Sequence, residues 1–100
     1  MEIIKQISEK IDSELHDAEK YIKCAYKVDE KYPQLADVYN KLSLEEMNHV
    51  TMLHDMVVKI INEYKQRNAV PEGMQILYDY LHDRQIKKAA KIKSKQEQFK

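Results

Sequence analysis

Three side chains of metal-ligating type, Glu14, Glu46 and His49, stand where apolar residues are expected. Glu14 interrupts a stripe at 3-4 spacing: Ile4, Ile7, Ile11, Glu14, Ala18, Tyr21, Ala25, Val28. Glu46 and His49 are consecutive members of a second stripe: Leu35, Tyr39, Leu42, Glu46, His49, Leu53, Met56, Ile60. A carboxylate in an apolar seam is costly unless it is paired or bound to a cation. Glu46-Met47-Asn48-His49 adds a spacing argument. Residues i and i+3 share a helical face, so one ion can take a carboxylate oxygen and an imidazole nitrogen from this pair. Glu14 from a neighbouring helix would complete a half-site of two carboxylates and one imidazole. Glu45 and Asp17 lie close by in sequence and could replace or supplement these ligands.

Taken singly, each residue has a plainer reading. Glu14 serves equally well as the partner of a lysine such as Lys10 or Lys41. His49 alone reads as a hydrogen-bonded core histidine, and Glu46 alone as a solvated helix residue. The metal reading rests on all three reaching one level of the fold. Tyr21 and Tyr39 lie seven residues from Glu14 and Glu46 and read first as wedge-shaped aromatics with the hydroxyl near a boundary. His16 and His54 flank the stripes as surface or interface residues, with an entry-site role as the alternative. Nothing in the sequence argues for chemistry at His82. Cys24 reads as a small buried or interface hydrophobe.

The elements that must position the three ligands follow from two breaks. Glycine and proline occur at Tyr32-Pro33 and between Asn68 and Gly73, and nowhere else. The residue before a proline is pushed out of the α region, and the intervening segments are rich in helix formers. The expected helices are about 2–31, about 34–67 and about 74–97. The first two form an antiparallel hairpin, in which facing residues have a constant index sum. Glu14 with Glu46 sums to 60 and with His49 to 63, which places the turn centre between 30 and 31.5. Pro33 falls within two residues of that centre. A second apolar row on helix 2, Val38, Val50, Val57 and Ile61, exceeds what one partner helix needs and points to self-association.

Composition bounds the rest. One hundred residues, 43% of them hydrophobic, fit a single domain over residues 1–100. One glycine and two prolines exclude collagen-like and loop-rich all-β designs. Zero formal net charge argues against a whole-chain nucleic-acid binder. A single cysteine allows neither an internal disulfide nor a CxxC motif. Apolar runs such as Met56-Val57-Val58 are too short to span a bilayer, and Met1 to Lys5 shows no export signal. A soluble cytoplasmic protein is expected. Residues 84–100 carry seven basic residues and one acidic, against ten basic and sixteen acidic in residues 1–83. This segment reads as a solvated terminal helix, frayed or laid across an acidic neighbouring subunit. Phe99 is its one aromatic residue, so base stacking has little support.

The segments Glu14-Leu15-His16-Asp17-Ala18-Glu19-Lys20-Tyr21 and Leu42-Ser43-Leu44-Glu45-Glu46-Met47-Asn48-His49 resemble the ferritin-like superfamily. The chain looks like a half-length member of this superfamily, in the neighbourhood of bacterioferritins, rubrerythrins and encapsulated ferritins. The first segment resembles a helix with a metal-binding Glu followed seven residues later by Tyr, and the second a Glu-x-x-His helix with a doubled Glu. The resemblance covers roughly residues 7 to 64. Full-length relatives carry two hairpins and this chain one, so it is similar to the encapsulated ferritins, in which two chains build the site.

The resemblance implies an all-α fold: a long hairpin plus a C-terminal helix, dimerising into a ferritin-like four-helix bundle. It implies a di-iron centre shared between two chains, with four glutamates and two histidines. Glu14, Glu46 and His49 would be the ligands and the catalytic residues, and Tyr21 would orient a carboxylate. The implied activity is ferroxidase-type oxidation of Fe(II) by oxygen or peroxide, in a homodimer or larger even-numbered homo-oligomer. The absent CxxC pairs mean that a peroxidase role needs an external reductant. The tail from Ile92 to Lys100 does not resemble the apolar peptide that docks into an encapsulating shell protein. Two other readings stand beside this one. The chain could be a non-enzymatic helical assembly module whose basic tail binds an acidic partner. Zinc or manganese could also serve as a structural staple, because these ligand types do not select iron by affinity.

Overall fold

The computed structural model describes residues 2–99. Three helices make up the fold: α1 Glu2–Val28, α2 Pro33–Gln66 and α3 Met74–Gln98. The fold is all-α, an elongated up-down-up bundle with extents of 57 × 19 × 17 Å. No described helix is long and apolar enough to cross a membrane.

The first connection is tight for a local reason. Pro33 opens α2, where its missing N–H costs nothing, and holds Tyr32 outside the helical region at φ −133°. Residues 29–31 make the reversal, and the Tyr32 N–H still donates to the Val28 carbonyl at 2.8 Å. Helix α1 thus ends earlier than the expected residue 31. The proline constrains only its predecessor, whereas reversing the chain takes three further residues.

At the second break α2 ends on Asn68 in the left-handed region (φ 53°), which asparagine tolerates. Gly73 precedes α3 at φ 80°. A Cβ there would meet no atom within 4 Å, so the requirement for glycine is conformational and not spatial.

Small residues set the spacing of the hairpin. Ala18, Ala25, Ala36 and Ser43 are fully buried, and the Ser43 hydroxyl donates to the Ala18 carbonyl at 2.7 Å. Helix α3 then lies antiparallel to α2 and parallel to α1, packed chiefly on α1. The main core gathers Ile4, Ile11, Leu15 and Ala18 with Val57, Ile61, Met74 and Ile92. A smaller cluster near the first turn joins Ile22, Ala25 and Ala36 to Phe99.

Two expectations change. The basic C-terminal segment does not lie free in solvent. It is helical to Gln98, with Ile92 and Phe99 buried on the chain's own hairpin. Several of its charges pair internally: Arg84 with Asp12 at 2.9 Å, Lys87 with Asp83 at 3.3 Å and Lys88 with Glu19 at 3.7 Å. Ile92, Phe99 and the half-buried Ala89 share one face, which suffices for docking while Ile86 and the lysines stay outside. The two apolar rows of α2 are each split between core and surface. Val57 and Ile61, from the supposed surplus row, enter the core because α3 covers that side. In the row that contains Glu46 and His49, Leu53 and Ile60 pack against the core while Leu35 and Met56 are exposed, and in the other row Val38 is 52% exposed.

Candidate metal centre

Glu14 projects from the middle of α1 and Glu46 and His49 from consecutive turns of α2. Ala18 and Ser43, four residues after Glu14 and three before Glu46, hold the two backbones close at this level. One oxygen of each carboxylate and one histidine nitrogen all lie within 4.8 Å of one another. The atom common to both pairs is His49 Nδ1, 3.5 Å from Glu14 Oε2 and 3.4 Å from Glu46 Oε1. Lys10 approaches the other oxygen of Glu14 at 3.3 Å, so the lysine pairing and the three-residue cluster occur together. Among the described residues this is the one group of three or more such side chains placed to hold an ion.

The two carboxyls cannot both ionise cheaply. A hydrogen bond from Glu46, opposed by burial and aided by Lys10 and His49, lowers the pKa of Glu14. The same contact with Glu14, together with burial, pushes Glu46 up to about 7. Below that pH Glu46 holds its proton and donates it to an ionised Glu14. Asp17 adds a further repulsive charge to Glu46. Such a proton-sharing pair beside an imidazole is a suitable donor set for a divalent cation, which can take the place of the proton and neutralise both carboxylates. The chemistry of the donors therefore fits a metal.

The cluster is open on one side. The side chains of Glu14 and Glu46 are 10% and 17% exposed, but that of His49 is 49% exposed. Glu45 is exposed and lies outside the group. Tyr21 stacks on Tyr39 with ring centroids 6.2 Å apart, between the site and the first turn. His16 is exposed and Cys24 half-buried.

A three-helix fold with Glu on one helix facing Glu-x-x-His on the next narrows the family, and the match to a family model decides it. The rubrerythrin family model matches residues 5–99. The chain belongs to the rubrerythrin family. No curated protein and no solved structure matches it. Within a rubrerythrin-family chain the Glu14, Glu46 and His49 group is the candidate iron site, and the sequence spacing had brought the same three residues together. Spacing along single helices did not reveal the meeting of His54 with Tyr78 and His82 across α2 and α3. The i, i+4 separation of Tyr78 and His82 is the signal that could have found it.

Proposed function

We propose that this chain is one half of a ferritin-like di-iron protein with ferroxidase activity, and that two copies pair across the open edge of the hairpin. The observation that carries the reading is the Glu14, Glu46 and His49 cluster, closed on its own core and open at His49. Leu35, Val38, Met52 and Met56 are 42, 52, 63 and 45% exposed along the same side of α2. An apolar strip beside a half-open polar cluster suits a second copy of that strip, related by a two-fold axis. Pairing would double the cluster to four carboxylates and two imidazoles, the ligand set of ferritin-like carboxylate bundles.

Bound iron would supply electrons to oxygen or peroxide. The chain's own residues do the rest. Glu14 and Glu46, in ionised form, would hold the ion, the proton they share in the metal-free protein being released to solvent. His49, whose Nδ1 faces both carboxylates, would supply the imidazole ligand. Tyr21, one face of its ring supported by Tyr39, can orient a carboxylate through its hydroxyl. Leu42 and Leu53, on the turns flanking Glu46 and His49, would exclude water once the second copy is in place.

The test is metal content per chain on the size-resolved oligomer, after anaerobic Fe(II) loading and exposure to air. About one iron per chain in an even-numbered oligomer is expected, with a ferric absorption band that His49→Ala removes. A stable dimer without metal would overturn the reading and leave a buried polar network. Zinc or manganese at the same stoichiometry without oxidation would make the site a structural staple.

A further inference from the structure

A second cluster of ligand-type side chains lies on the other side of α2, in the groove where α3 is laid down. His54 Nε2 and the Tyr78 hydroxyl are 3.0 Å apart. The His82 ring stacks on both, with centroids 4.6 Å from His54 and 5.0 Å from Tyr78. Tyr78 and His82 stand at i and i+4 on α3, so they share a face by helical geometry, and His54 meets them from α2. None of the three takes part in the carboxylate centre.

We infer that His54, His82 and Tyr78 form a second, nitrogen-rich site for a borderline divalent cation of the Cu2+ or Zn2+ type, bridging α2 and α3. Geometry comes first. Donors held about 2.0 Å from a tetrahedral ion lie about 3.3 Å from one another. His54 Nε2 and the Tyr78 oxygen already stand near that separation, and the His82 ring, stacked over both, would turn out of the stack to direct a nitrogen at the same ion. Access comes second, because His54 and His82 line an open groove of about 240 Å3 between the helices. Charge comes third. Asp55 Oδ1 is 3.8 Å from His54 Nδ1, and the carboxylates of Asp79 and Asp83 act on His82. Lys93 lines the groove and Lys87 offsets Asp83 at 3.3 Å, so Asp55 and Asp79 carry the acidic side of the balance. Burial and the neighbouring His54 hold His82 toward the neutral form that binds metals.

The donor set selects the ion. Two imidazoles and a phenol suit copper or zinc, whereas the carboxylate-rich centre suits iron or manganese. Tyr78, whose proton burial retains in the free protein, releases it to solvent on ligation. Because the ligands come from two helices, the ion would also pin the C-terminal helix to the hairpin.

The experiment is a Cu2+ titration of the full chain, followed by electron paramagnetic resonance with the number of coordinated nitrogens read from the hyperfine pattern. The expected result is a two-nitrogen copper class that survives His49→Ala and disappears in both His82→Gln and His54→Gln. Tyr78→Phe should weaken this class by about tenfold or more while removing the phenolate-to-copper absorption. The His49→Ala arm separates this site from the carboxylate centre, so either can fail alone. A two-nitrogen class that persists in either folded histidine variant would overturn the inference. So would its absence from the wild-type chain at stoichiometric copper, or its loss with His49.

Discussion

The Ser43 hydroxyl donates a 2.7 Å hydrogen bond to the Ala18 carbonyl, and Gln96 donates to the same hydroxyl at 2.8 Å. One buried serine thus ties all three helices together one turn from Glu14 and Glu46. The geometry of the candidate site depends on this register, because the carboxylates meet only while Ala18 and Ser43 let the backbones approach.

Ala18→Leu is accordingly expected to cost about 1–3 kcal/mol through overpacking and to weaken metal binding by separating the helices. Ser43→Ala should cost about 1–3 kcal/mol by leaving the Gln96 amide without its acceptor. Thermal melting followed by circular dichroism, paired with a metal titration, checks both effects.

Glu46→Ala should abolish metal loading while the chain still folds, since the core that surrounds the site is apolar and intact. Elemental analysis and a circular dichroism spectrum on the same sample decide this. Loss of helix content in the metal-free variant would assign Glu46 a structural role.

The metal-free protein should lose stability as pH rises from about 5 to 8. Glu46, pushed up to about 7, stabilises the fold while protonated, fully below the ordinary carboxylate pKa and no longer once pH passes its raised value. Glu14 works in the opposite sense. Its lowered pKa adds stability above the ordinary carboxylate range, which is lost as pH falls through the lowered value. Melting temperatures across this range should show the decline, and Glu46→Gln should flatten it. Saturating Mn2+ should reverse the slope, because the cation then takes the place of the proton.

Ile92→Ala should destabilise by about 2–4 kcal/mol if the basic half of α3 is held on its own hairpin. A denaturant midpoint unchanged from wild type would mean that this half lies free in solution. Gly73→Ala should cost about 1 kcal/mol although its Cβ would have open space, because only the positive φ resists it.

Much of this molecule was legible in the order of its residues. Helical propensity and two clusters of proline and glycine marked the three helices, since both act locally on φ and ψ. The constant index sum in a hairpin brought Glu14 to Glu46 and His49, and the reversal at residues 29–31 lies where that sum put it. Burial by the third helix was not legible. The spacing of α2 offered two apolar rows, and nothing local said that α3 would cover Val57 and Ile61 and leave Leu35 and Met56 exposed. The few apolar residues of the basic tail, Ile92 and Phe99, count as core only once a hairpin groove exists to receive them. The i, i+4 pair of Tyr78 and His82 marked one face of α3, but only the antiparallel passage of α3 carried that face onto His54. Sequence thus determined what depends on neighbours within a helix or across one short turn. Tertiary structure decided what depends on surfaces far apart in the chain: which residues of each row are buried, how open the candidate metal site is, and where His54 meets His82.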